Sequence, residues 1–191
     1  MITISYIFIA AILILIWAIY RIRLLIKIKE KNILREVLIN IFFLYFLILI
    51  NITICKMGML QIDFKNRFYI NYIPFVETIK MFEDNFMGIG NAFYNVIGNI
   101  LLFMPLGFFI PLLFKNKNNI VIVTLYGSFI SVIIEVLQLF TAFNITDIDD
   151  VIFNTIGTIL GFFIFRLFYY MIKNTKLVDL TRKTISNNNY N

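Results

Sequence analysis

Histidine is absent from the 191 residues. Its absence excludes His-based catalytic triads, imidazole proton shuttles and His-ligated zinc. There is one cysteine, Cys55, so neither an internal disulfide nor a cysteine-rich metal centre can form. Charge is also scarce, at 15% of residues against about 25% in an ordinary soluble domain. What fills the chain instead is apolar: 61% hydrophobic residues and a mean hydropathy of +0.88. A water-soluble globule and a disordered segment are both excluded by that balance.

A helical membrane span needs about 20 predominantly apolar residues. Five stretches meet that length: Ile2–Tyr20, Val37–Cys55, Asn95–Phe114, Ile120–Phe140 and Val151–Tyr170. The first is no signal peptide by pattern, because its start is uncharged and Arg21, Arg23, Lys27, Lys29, Lys31 and Arg35 follow it. Those six basic residues, Lys115 and Lys117, and Lys173, Lys176, Arg182 and Lys183 fall in alternate connectors. Lys56, Lys65, Arg67 and Lys80 are the basic residues of the opposite side. The positive-inside rule therefore places the N-terminus outside and the C-terminus in the cytoplasm. Topology and anionic inner-leaflet lipid account for the net charge of +6, and nucleic acid is not an expected partner.

The expected fold class is an all-α integral membrane protein, a bundle of five transmembrane helices. One outer amphipathic helix and a short β-hairpin are expected beside it. In the outer loop, Leu60, Ile62 and Phe64 alternate with polar residues, as do Phe68, Ile70 and Tyr72 after Asn66-Arg67, which reads as the hairpin. Pro74 is placed to open a helix over 74–86, with Phe75, Ile79, Phe82 and Phe86 on one face against the outer bilayer surface. Residues 87–91 are expected to turn into the third span. The domain reading is 1–58 as two helices with a basic connector, 59–170 as the loop with three helices, and 171–191 as a frayed polar tail.

The informative residues are polar ones inside the spans, since burying them without partners is costly. Asn95 and Asn99 share a helix face, followed by Pro105, which is expected to interrupt the helix. Glu135 and Gln138 share a face of the fourth span, with Ser128 and Ser131 nearby. Asp147, Asp149, Asp150 and Asn154 open the fifth, and Gly157 and Gly161 continue the stripe of Asp150 and Asn154, a spacing that permits close helix contact. The topology brings these groups to one outer depth. The candidate ligand-binding residues are Asn95, Asn99, Glu135, Gln138, Asp147, Asp150 and Asn154. Interhelical hydrogen bonding and helix capping are the competing structural roles. No cofactor and no bound metal are expected.

Several runs together resemble a known family. Asn95-Val-Ile-Gly-Asn99, continuing to Pro105-Leu-Gly107, is similar to the first signature of the VanZ-like family. Glu135-Val-Leu-Gln138 resembles its E-x-x-Q element, and Asp147 to Gly157 its D-x-x-D-x-x-x-N-T-x-G element. Asn71-Tyr-Ile-Pro74-Phe75 resembles the N-x-I-P-F element that precedes them. An Arg often stands three residues before the first Asp of that family, where this chain has Asn144. The resemblance covers about residues 71–165. It implies a bacterial cell-envelope protein of the cytoplasmic membrane, associated with lowered susceptibility to teicoplanin, a glycopeptide acting on wall precursors. The implied partners are the lipid bilayer and a lipid-linked wall precursor or glycopeptide. An intramembrane enzyme remains open beside this, with Glu135 and Asp150 as acid and base or Asp147 and Asp150 holding a cation. So do a transporter and a membrane scaffold.

Overall fold

A computed structural model describes residues 1–27, 33–55, 58–63, 70–83, 86–114, 117–141 and 146–172. The expected frayed tail, the turn at Asn66-Arg67 and Asn144 lie outside the described residues. The chain divides into two compact units, Met1–Asn66 with Phe140–Phe143, and Arg67–Leu139 with Asn144–Asn191. Five helices among the described residues are long and apolar enough to cross a membrane.

The first unit holds a strand β1 (Ile2–Ser5), two long helices α1 (Tyr6–Lys27) and α2 (Ile33–Thr53), and a strand β2 (Met59–Ile62). Apolar side chains surround both helices, and most of them are exposed; Ile7, Phe8, Leu15 and Ile52 are examples. Such a surface requires a lipid solvent. The contacts within the pair are polar and aromatic. Tyr6 donates to the Leu47 carbonyl at 2.7 Å, Trp17 Nε1 donates to Asn40 at 2.9 Å, and the Trp17 and Phe43 rings stack at 4.5 Å. Arg21 pairs with Glu36 beneath Trp17. The first apolar run therefore does not enter its helix at Ile2. Its first residues pair antiparallel with β2, Ile2 opposite Ile62 and Ser5 opposite Met59.

That pairing also overturns the expected hairpin. The alternation at residues 60–62 does mark a strand, but its partner is β1 and not the segment around Ile70. A third short segment joins the far edge, where Asp63 N donates to Phe140 O at 3.1 Å and Ile62 bridges Thr141.

The second unit carries β3 (Ile70–Asn71), α3 (Val76–Glu83), α4 (Phe86–Leu113), α5 (Ile120–Gln138), β4 (Thr146–Asp147) and α6 (Ile148–Ile172). β3 pairs with β4 in parallel, Asn71 opposite Asp147. Helix α3 starts at Val76, so Pro74 is not its first residue; Phe75 stands before it with φ +67°. Residues 87–91 are already helical, and α4 runs unbroken past both Pro105 and Pro111. The expected interruption at Pro105 is absent because tertiary packing outweighs the hydrogen bond each proline withholds. Asn119 caps α5, its Oδ1 accepting from Val121 N at 2.8 Å.

Packing in this unit is led by α4 against α6. The buried stripe of α6, Asn154, Gly157, Thr158, Gly161, Phe162 and Phe165, repeats at helical spacing. A Cβ added at Gly157 would meet the backbone of Ile100, and one at Gly161 the backbone of Met104. The reciprocal glycine is Gly107, against Thr158 and Phe162 N. The expected close contact along the stripe of small residues is therefore made, and α4 is its partner.

Candidate functional site

The middle of α4, the last turn of α5 and the first turn of α6, with β3, β4 and the start of α3, bring four carboxyl groups together. Glu135 is 5% exposed, and its Oε2 accepts from Asp147 N at 2.9 Å. Thr146 Oγ1 donates to the Glu135 carbonyl at 3.0 Å, so the chain entering α6 is tied to the last turn of α5. Asp147 Oδ1 accepts from Asn71 Nδ2 at 2.8 Å and from Asp149 N at 2.9 Å. Asp150 Oδ1 accepts from Asn99 Nδ2 at 2.5 Å, joining α6 to α4.

The most enclosed member is Asp149, at 1% exposure. Its two oxygens accept from Phe75 N and Thr78 Oγ1, each at 2.6 Å. Asp149 thus fixes the start of α3 from another element, taking the N–H of the residue before the helix as the N3 side chain of a capping box would. It also holds Phe75 in the left-handed region, which a bulky residue avoids without such a constraint. Sequence spacing singled out Asp147 and Asp150 and passed over Asp149 as a ligand candidate. The usable signal was a Thr in the first turn after an N-x-I-P-F element, which lacks a carboxylate cap of its own.

Each of these carboxyls is held by neutral donors: amides, backbone N–H groups and a hydroxyl. Among the described residues no Lys or Arg forms an ion pair with any of them. Asp147 lies just before the span of α6. Burial pushes its carboxyl up, and the Asp149 charge adds to this, against the pull of the Asp149 N–H and the Asn71 amide. No three His, Cys, Asp or Glu groups among the described residues are arranged to hold a metal ion.

The other sequence candidates fall at different levels. Asn154 is buried one turn deeper, donating to Ser131 Oγ at 2.8 Å, while Thr158 Oγ1 donates to the Asn154 carbonyl at 3.0 Å. The Ser128 and Thr155 hydroxyls meet at 2.9 Å across the same α5–α6 seam. Gln138 is buried at the end of α5. Asn95 is exposed and reaches Met81 of α3, with Nδ2 3.7 Å from Sδ, and so stands apart from the carboxyls.

Five long apolar helices among the described residues define a multi-pass membrane protein in contact with a lipid bilayer. The family model VanZ/LLP1 matches residues 42–169, about two thirds of the chain, and the chain belongs to that family. The match starts inside α2, well before the Asn71 motif. No curated protein and no solved structure matches the chain.

Proposed function

We propose that this VanZ-family protein acts in the bacterial cytoplasmic membrane, with its N-terminus outside, and lowers susceptibility to teicoplanin-type glycopeptides. The carboxyl layer then faces the outer leaflet, where wall precursors and the drug meet. Its role is to engage a lipid, a lipid-linked wall precursor or the drug. Carboxylates without a cationic partner are acceptors for ammonium, amide or hydroxyl donors of such a ligand.

The observation that carries this reading is the convergence of Asn99, Glu135 and Asp150, from three helices, and Asp147 of β4. The distribution of basic residues over alternate connectors supports the orientation. The test is teicoplanin susceptibility in a Gram-positive host lacking its own copy, comparing wild type, Glu135→Gln and empty vector at matched membrane levels. Wild type is expected to raise the inhibitory concentration and Glu135→Gln to return it to the vector value. Equal values for wild type and vector refute the resistance role; an active Glu135→Gln refutes the site.

A further inference from the structure

The lipid-facing side of α5 carries an open groove of about 320 Å³, lined by Leu125, Tyr126 and Phe129. That volume lies at the lower end of ligand-sized pockets, about 300–1,000 Å³. Its lining is apolar, and all three side chains are well exposed. In a bilayer such a surface is covered by an acyl chain, and nothing so far selects one lipid over another.

Lys117 supplies the selection. Its Nζ lies 5.0 Å from the centre of the Tyr126 ring, within cation–π range. Tyr126 stands six residues into α5, about 9 Å along the axis. Its side chain leans back toward the N-terminal end of the helix. The ammonium therefore lies beside the ring that forms one wall of the groove. Lys117 itself is anchored, since its N donates to Phe114 O at 2.9 Å, and Asn119, two residues on, caps the helix. Lys117 forms no ion pair with any described residue, and no Asp or Glu occurs in the sequence from 85 to 134. An uncompensated cation at the wall of an apolar groove, beside the positive end of a helix dipole, is complementary to an anionic headgroup on an acyl chain.

We propose that this groove is a binding site for an anionic phospholipid, its phosphate on Lys117 and the Tyr126 hydroxyl and its acyl chain along Leu125 and Phe129. The site is separate from the carboxyl layer and does not rest on the resistance role. On the proposed orientation it faces the cytoplasmic leaflet.

The test reconstitutes the full chain in vesicles of equal parts phosphatidylglycerol and phosphatidylethanolamine with matched acyl chains. Lipid retained after gentle extraction is read by native mass spectrometry. Wild type is expected to hold the anionic lipid about fivefold over the zwitterionic one, the preference that one basic residue near a headgroup gives. Lys117→Gln is expected to bring the ratio to about one, with Lys117→Arg restoring it. Lys80→Gln, which removes the same charge elsewhere, is expected to leave it unchanged. Equal retention of both lipids by wild type overturns the proposal. So does a Lys117→Gln chain that keeps the preference, or a second copy of the chain occupying the Leu125–Phe129 face.

Discussion

Replacing Gly157 by Ala adds one methyl group where α6 touches α4. The new Cβ would lie 2.2 Å from the carbonyl oxygen of Ile100 and 2.9 Å from its Cα and carbonyl carbon. Non-bonded heavy atoms prefer about 3.5 Å, so the two helices must separate by about 1 Å or more. The obstruction is backbone, which cannot rotate away as a side chain would. Overpacking of this kind costs about 1–3 kcal/mol, against about 1 kcal/mol gained from the better helix propensity of Ala. Gly98→Ala on α4 is the matched control, because a Cβ there meets nothing within 4 Å. It keeps the propensity gain of about 0.5–1 kcal/mol and carries no clash. The propensity gain is common to both, so Gly157→Ala is expected to be less stable than Gly98→Ala by the clash alone, about 1–3 kcal/mol. Unfolding in mixed dodecyl sulfate micelles, followed by far-ultraviolet circular dichroism, measures the difference. Equal stability of the two variants would refute the close α4–α6 contact. The same separation would stretch the Asn99–Asp150 hydrogen bond one to two turns away, so Gly157→Ala is also expected to weaken whatever the carboxyl layer does.

Asp149→Ala leaves the Phe75 N–H and the Thr78 hydroxyl without their acceptor, a loss of about 2–4 kcal/mol concentrated at the start of α3. Amide hydrogen exchange over residues 76–83 is expected to accelerate while that of α5 stays slow; unchanged exchange in α3 would rule out the cap. Asp147 has its carboxyl pushed up by burial, so its contribution to stability is full below the ordinary Asp range and is lost as pH rises through the folded value. Asp147→Asn does not titrate, and the thermal midpoint of the variant minus that of wild type is expected to grow from pH 4 to pH 8; a constant gap would contradict this. Cys55 is 3% exposed, so a maleimide is expected to label the folded protein far more slowly than the denatured chain, and equal rates would argue against its burial.

The five spans were legible because hydropathy over 20 residues is a strong signal. Their ends were less so. Ile2–Ser5 is apolar enough to extend a span, and only its pairing with Met59–Ile62 makes it a strand. The alternation at 60–62 identified a strand without identifying its partner, since a period of two says nothing about what lies alongside. The parallel pair of Ile70–Asn71 with Thr146–Asp147 is two residues long, below any pattern. Within the site, Asn99, Glu135 and Asp150 were legible because a charged or amide group in an apolar helix is costly and therefore conspicuous. Asn95 shares their helical spacing, but it is exposed on its turn of α4 and reaches Met81 of α3 instead of the carboxyls. Asp149 escaped because its partners, Phe75 and Thr78, are more than 70 residues away in sequence.

The bond between Asn71 and Asp147 spans 76 positions of the chain. Between them lie α3, α4 and α5, and Glu135 finds its N–H donor only when residue 147 arrives. During synthesis the first four long helices can enter the bilayer while Glu135 still lacks that donor. The carboxyl layer therefore cannot be complete before the start of the final helix has been made. A ribosome paused before α6 would leave a costly carboxyl in lipid without its mate. Insertion of the fifth span is thus the step that relieves the cost of Glu135 in the membrane.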